Sequence, residues 1–169
     1  GIAYLLGVQQ WLVSLVALLC ATLIQIGTNF ANDYYDYKKG SDREDRIGFT
    51  RMVASGQISE RQMFNATLLC MGLAFIFGLY LVYVGGWEVL AIGLSSILFG
   101  ILYTGGPYPL GYNGLGDVFV FIYFGIVATM ATVFVHTASW EPMAFWASLI
   151  PGALSTNILV INNLRDVDQ

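Results

Sequence analysis

Long apolar segments alternate with short polar ones along this chain. Five segments are apolar over most of their length, and residues 1–7 resemble the end of a further one. A helix needs about 20 apolar residues to cross a bilayer core about 30 Å thick. The pattern therefore predicts an all-α, polytopic transmembrane helix bundle. The five predicted helices cover residues 10–37, 62–84, 87–103, 115–137 and 142–164.

The composition supports a lipid environment. Hydrophobic residues make up 57% of the 169 residues and charged residues only 11%, whereas a soluble domain has about 25% charged residues. Cys20 and Cys70 lie inside apolar segments without the spacing of a metal or redox site. His136 ends an apolar segment, and we interpret it as an interfacial residue. The chain has no basic tract of the kind that binds nucleic acid.

The chain begins with glycine instead of methionine and stops inside a polar motif. We interpret residues 1–169 as a single transmembrane domain that lacks both ends.

The basic residues divide the loops into two groups. Six of the seven lie between Lys38 and Arg61, and the seventh is Arg165. If the first full helix leads into the 38–61 loop, all seven fall on one side of the membrane. The positive-inside rule then makes that side cytoplasmic.

A polar stripe ends the first full helix. Asn29, Asn32, Asp33 and Asp36 are separated by three and four residues, so a helix places them near one another. Two carboxylates near hydrocarbon repel each other and need a cation, and oxygen ligands suit Mg²⁺. The alternative is an ordinary solvated helix end whose charges pair with the lysines that follow.

A second polar cluster ends the last helix on the same predicted side. Asn162 and Asp166 are four residues apart, with Asn163 and Arg165 beside them. Two such clusters facing each other would hold metal ions around a diphosphate. Their shared side and shared helix end favour a functional interpretation over chance.

Two loops carry further candidate residues. Most arginines of the 38–61 loop are explained by topology alone, but Arg51 in T-R-M-V-A-S-G is a candidate for binding phosphate oxygens. The Gly- and Pro-rich segment from Tyr103 to Asp117 is typical of a structured loop, in which Tyr103, Tyr108 and Tyr112 would line an aromatic pocket. For Asp117, a helix-end role and a site role are equally supported.

These motifs together resemble the UbiA superfamily of intramembrane aromatic prenyltransferases. The resemblance rests on Q-I-G-T-N-F-A-N-D-Y-Y-D-Y-K-K-G-S-D, T-R-M-V-A-S-G, Y-T-G-G-P-Y-P-L-G-Y-N-G-L-G-D and N-N-L-R-D. It is strongest to the branch that prenylates 1,4-dihydroxy-2-naphthoate in menaquinone synthesis. Family members have nine helices, so this fragment would hold the end of the first and about five full ones.

The resemblance implies an Mg²⁺-dependent transfer of a polyprenyl group from polyprenyl diphosphate, with decarboxylation of the acceptor to give demethylmenaquinol. It places the enzyme in the bacterial inner or plasma membrane with its site facing the cytoplasm. The expected metal ligands are Asn32, Asp33, Asp36, Asp42, Asn162 and Asp166. The expected catalytic residues are Asp33, Asp36, Asp166 and Arg51. The expected substrate-binding residues are Asn29, Asn32, Lys39, Asp42, Tyr103, Tyr112, Asn162, Asn163 and Arg165.

Two alternatives remain open at this point. The acceptor would differ in another branch of the family, for example one that uses 4-hydroxybenzoate. A membrane ion transporter would also carry carboxylates in its helices, although a transport site tends to lie near the bilayer midplane.

The charge distribution generates a prediction about topology. In the full-length protein without its native cysteines, single cysteines at Ser41 and Ser139 should react with a membrane-impermeant thiol reagent from opposite sides, with Ser41 cytoplasmic. Labelling of both positions from the same side would contradict the five-helix topology.

Overall fold

The computed structural model describes residues 1–8, 10–40 and 51–165, and all regular structure within these ranges is helical. A short helix, α1, is followed by five long ones, and each predicted boundary lies within two residues of the observed one. The helices are α1 (Ile2–Leu5), α2 (Trp11–Lys39), α3 (Glu60–Gly85), α4 (Trp87–Leu102), α5 (Gly116–Thr137) and α6 (Pro142–Arg165).

Local sequence explains where helix α2 ends and where helix α3 begins. Gly40 adopts a left-handed conformation with φ 67° and closes α2 with its backbone N–H, as glycine does at many helix ends. Ser59 and Gln62 form a reciprocal capping box at the start of α3, which satisfies two backbone donors that the helix leaves free.

Helix α4 is shorter than the other long helices. It has 16 residues, which corresponds to about 24 Å at 1.5 Å per residue. The other four are long and apolar enough to cross a membrane, and only 17–22% of their most apolar windows is buried inside the protein. Of the five predicted spans, four therefore reach full length. Helix α4 is cut short by Gly86, which has a φ of 81°, and by the G-G-P turn.

Contacts between the helices fix their directions. Helices α2 and α3 are antiparallel, because the Cys20 thiol lies 3.6 Å from the Ala74 carbonyl and the Tyr34 ring packs against Phe64. Helix α4 runs parallel to α2, since Gly100 abuts Thr28 and Thr104, just past α4, bonds to Asn32 further along α2. The carboxyl ends of α2 and α4 consequently lie at the same end of the bundle.

Helices α5 and α6 approach each other with almost no side chain between them. A Cβ atom on Gly125 would lie 2.5 Å from the Cα atom of Gly152. Gly125 belongs to a π-helical stretch, Phe121–Val127, and α6 contains Pro151 near the same level. Small residues of this kind allow close helix packing in membranes. Gly116, at the start of α5, lies near Leu159 of α6, so the two helices are antiparallel and the carboxyl end of α6 lies at the same end as those of α2 and α4.

The opposite end of the bundle holds a buried histidine that is paired with a serine of α2. His136 is 8% exposed and its Nε2 atom lies 3.0 Å from the Ser14 hydroxyl. His136 thus contacts α2, and its expected position at the membrane interface stays a prediction.

The glycine contact generates a prediction about stability. Gly125→Ala in the full-length protein should lower stability by about 1–3 kcal/mol, because the new methyl group forces the two backbones apart. The measurement is the unfolding midpoint in detergent by intrinsic fluorescence. Gly72→Ala is the control, since a Cβ there meets no atom within 4 Å, and it should be neutral or slightly stabilising. Equal midpoints for the two variants would contradict the close contact.

Candidate functional site

A cavity of about 870 Å³ runs along the inside of the bundle. Its wall follows α2 from Ala17 to Asp36, a distance of about 28 Å at 1.5 Å per residue. Most of its lining is apolar and comes from α2 to α6. Polar side chains gather at the end where α2, α4 and α6 finish.

The two predicted polar clusters line this same cavity. Asn29, Asn32 and Asp36 contribute from α2, and Asn162 and Asn163 contribute from α6. Arg51, Tyr103 and Tyr112 also lie in its wall. The structure thus brings together eight of the predicted site residues, from four separate parts of the chain.

Asp36 is the centre of the polar contacts. Its carboxylate is 10% exposed and accepts a charged hydrogen bond of 2.8 Å from the Arg51 guanidinium. The Tyr112 hydroxyl donates to its other oxygen at 2.6 Å. A buried carboxylate requires such partners, and both are strong because the acceptor is ionised.

The loop after α4 is tied to the end of α2 by Thr104. The buried Thr104 hydroxyl donates to the Asn32 side-chain oxygen at 2.8 Å, and the Lys39 ammonium donates to the Thr104 carbonyl. The same ammonium lies 4.7 Å from the centre of the Tyr112 ring, within the range of a cation–π interaction. In this arrangement Lys39 holds the loop, and its contact with diphosphate stays a prediction.

Tyr103, the residue just past the end of α4, presents a protonated hydroxyl to the cavity. Burial raises the pKa of this phenol, and the neighbouring carboxylates of Asp117 and Asp36 raise it further. The Tyr103 hydroxyl therefore stays protonated at neutral pH and can donate a hydrogen bond. Asp117 itself is exposed in the first turn of α5 and is not part of the cavity wall, which fits its helix-end interpretation.

Asp33 faces away from the cavity. It is 7% exposed, and its two oxygens accept the backbone N–H groups of Met52 at 2.9 Å and Val53 at 3.2 Å. Asn32 and Asp36 point to the cavity, whereas Asp33 points to the segment that carries Arg51. The role of Asp33 as a metal ligand stays a prediction.

The cavity residues have the donor chemistry of a magnesium site shared with a phosphate. In the described part of the chain, no three His, Cys, Asp or Glu side chains form a metal cage. Mg²⁺ does not need one, because it binds through one or two carboxylates, waters and substrate phosphates. The Asp36 carboxylate and the Asn29 and Asn32 amide oxygens supply such ligands.

For three of the predicted site residues the structure describes no side chain. Asp42 and Asp166 lie outside the described residues, and so does the side chain of Arg165. Their expected contacts with metal and diphosphate stay predictions.

Sequence reasoning missed Thr104 and the amides of Met52 and Val53. Thr104 belongs to the Y-T-G-G-P segment that was recognised as structured, and a hydroxyl beside a glycine turn is the signal that was available. Backbone amides carry no side-chain signature, so nothing in the sequence marked the other two.

Comparison with known proteins gives a consistent family match. The model of the UbiA prenyltransferase family matches residues 2–169. The 1,4-dihydroxy-2-naphthoate octaprenyltransferase of Mycobacterium tuberculosis (strain ATCC 25618 / H37Rv) is 36% identical over 167 residues, which is 99% of this chain and 57% of that protein. The Escherichia coli (strain K12) protein of the same name is 39% identical over 164 residues, 94% of this chain and 53% of that protein.

A vertebrate relative is also similar over the whole chain. The "UbiA prenyltransferase domain-containing protein 1" of Danio rerio is 35% identical over 177 residues, 100% of this chain and 51% of that protein. The chain spans about half the length of the curated relatives it matches. No solved structure matches.

The Asp36 contacts generate a prediction about Tyr112. Tyr112→Phe in the full-length protein should cost about 1–3 kcal/mol of stability, because a hydrogen bond to a charged group is lost while the ring beneath Lys39 is kept. Thermal unfolding in detergent measures it. Tyr108→Phe is the matched control, since Tyr108 lies in the same loop with a similar exposure, 60% against 51% for Tyr112, but is not part of the cavity wall. If the two variants unfold at the same temperature, the contact with Asp36 contributes nothing.

Proposed function

Because the chain belongs to the UbiA prenyltransferase family, we propose that the full-length protein transfers a polyprenyl group from polyprenyl diphosphate to 1,4-dihydroxy-2-naphthoate. The observation that carries this proposal is a single cavity with a polar, Asp- and Arg-bearing end and a long apolar remainder. A ligand with an anionic headgroup and a hydrocarbon tail matches that lining. The names of the relatives at 36% and 39% identity support the acceptor.

The polar end would bind the diphosphate. Arg51 offers a planar guanidinium that binds phosphate oxygens in pairs, and the Asn162 and Asn163 amides face it from α6. Asn32 and Asp36 would hold Mg²⁺, with Asp42, Asn162 and Asp166 as further expected ligands. When bound, Mg²⁺ would supply positive charge against the leaving diphosphate.

The apolar part of the cavity would hold the prenyl tail. With the prenyl tail bound, this apolar lining would keep water from the reacting carbon and protect an allylic cation from hydrolysis. Residues such as Cys20, Leu81 and Val135 close the end farthest from Asp36 and pack in one buried cluster.

The reaction would take place where the tail meets the polar end. The allylic C–O bond breaks, the diphosphate leaves, and the electron-rich ring carbon that bears the carboxyl group forms the new C–C bond. That carboxyl group then leaves as CO₂, giving demethylmenaquinol. The protonated Tyr103 hydroxyl is placed to donate a hydrogen bond to an acceptor oxygen. We further propose that this end of the bundle faces the cytoplasm.

The test is a transfer assay with the full-length protein in membranes. Polyprenyl diphosphate with Mg²⁺ should yield prenylated product and CO₂ from 1,4-dihydroxy-2-naphthoate, and a chelator should stop the reaction. Preference for 4-hydroxybenzoate would reassign the acceptor. Absence of transfer to either acceptor would refute the proposal.

Asp36 provides the residue-level prediction. Asp36→Asn keeps the shape of the side chain but removes its charge, so turnover should fall by about 100-fold or more while the protein still inserts. Glu60→Gln, at an exposed acid at the same end of the bundle, should retain normal turnover. Near-normal turnover of Asp36→Asn at ordinary Mg²⁺ concentration would favour the alternative interpretation, in which the α2 cluster is an ordinary solvated helix end.

A further inference from the structure

We propose that Asp33 is a positioning residue that holds the backbone beneath Arg51, and that it acts through Arg51 instead of binding Mg²⁺. This inference rests on the proposed function for its kinetic consequences. Its structural part, the contact between Asp33 and the segment 51–56, can be tested without any substrate.

The segment that follows Arg51 is a tight turn with its own hydrogen bonds. The Ser55 N–H donates to the Arg51 carbonyl at 3.0 Å, and the Gly56 N–H donates to the Val53 carbonyl at 3.0 Å. Gly56 has a φ of 72°, which glycine adopts without strain. A turn of this kind leaves its first amides without partners within the turn.

Asp33 accepts those first amides from a neighbouring helix. The N–H groups of Met52 and Val53 reach different oxygens of the same carboxylate. Val53 is 5% exposed and Asp33 is 7% exposed, so the hydrogen bond from the Val53 amide is shielded from water, and the one from the Met52 amide is partly buried. The carboxylate thus caps the turn as an Asp at a helix start does, but from α2.

Helix α2 therefore holds both the backbone next to Arg51 and the Arg51 guanidinium. Asp33 fixes the backbone that follows Arg51, and Asp36, one turn later on α2, holds its guanidinium at 2.8 Å. An arginine side chain carries about 2 kcal/mol of rotamer entropy. Fixing its backbone beforehand reduces the cost of placing the guanidinium on a ligand.

The same geometry argues against a metal at Asp33. Asp33 is absent from the cavity wall to which Asn32 and Asp36 contribute. Its carboxylate is directed at the backbone that follows Arg51, so it is not directed at a metal ion held in the cavity.

The experiment compares Asp33→Asn with the wild type in the full-length protein. Asparagine keeps one acceptor oxygen, and its amide nitrogen cannot accept the second N–H. Hydrogen–deuterium exchange of a peptide covering residues 51–58, without ligand, should show the Met52 and Val53 amides exchanging about tenfold faster in the variant. In the wild type these amides should be protected. Wild-type amides that exchange like open loop amides would overturn the proposal without any variant.

The kinetic readouts separate positioning from metal binding. Asp33→Asn should raise the KM for polyprenyl diphosphate about tenfold, with the Mg²⁺ concentration for half-maximal rate unchanged at saturating substrate. In an Arg51→Ala background, the same change should have less than about a twofold further effect, because coupled residues are not additive. Gln57→Ala, at an exposed side chain just after the turn, is the control and should leave the KM unchanged.

The opposite pattern would overturn the proposal. A raised Mg²⁺ requirement with an unchanged KM and unchanged amide exchange would make Asp33 a metal ligand. If the wild type transfers no prenyl group, the proposed function fails, and amide exchange alone still decides whether Asp33 holds the turn.

Discussion

The ionised carboxylates at the end of α2 constrain much of what surrounds them. A buried carboxylate at a membrane edge is costly unless hydrogen-bond donors or cations meet it. Asp33 and Asp36 are both largely buried, and each is met by a segment distant in sequence. The turn after Arg51 supplies two amides and a guanidinium, and the loop after α4 supplies the Tyr112 hydroxyl. Two segments that are not regular helix are thereby fixed to one helix.

The apolar pattern could predict the helices because a helix that contacts lipid has to be apolar. A spanning helix must be apolar for most of its length, so its ends are visible wherever polar residues begin. The predicted boundaries were accurate for that reason. The short length of α4 was visible in the same way, since the predicted segment 87–103 is one residue longer than the observed helix. The π-helical stretch of α5 was invisible, because it depends on how Gly125 packs against Gly152.

The site could be predicted as a set of residues but not as a set of contacts. Separations of three and four residues place side chains on a broad arc of a helix, and that arc is wide enough to face two different neighbours. Asn32 and Asp36 therefore reach the cavity, while Asp33, within the same stripe, reaches the turn at Met52. Lys39 shows the same limit, because its partner is a backbone carbonyl in a loop 65 residues away. Such contacts depend on tertiary packing that a helical periodicity does not contain.

The shortness of α4 has a consequence for how a lipid-borne molecule meets this protein. Its 16 residues leave it about 9 Å shorter than the 22-residue helix α5 that follows, so irregular backbone begins below the level where neighbouring helices end. Such backbone is tolerated at membrane depth only where protein or an aqueous cavity satisfies it. Thr104 meets that condition, since its hydroxyl and carbonyl are both paired. Since Thr104 bonds to Asn32 and α2 continues to Lys39, the polar end of the cavity lies about two helical turns below the end of α2. An amphiphile whose headgroup reaches that level would keep its tail among the apolar helices.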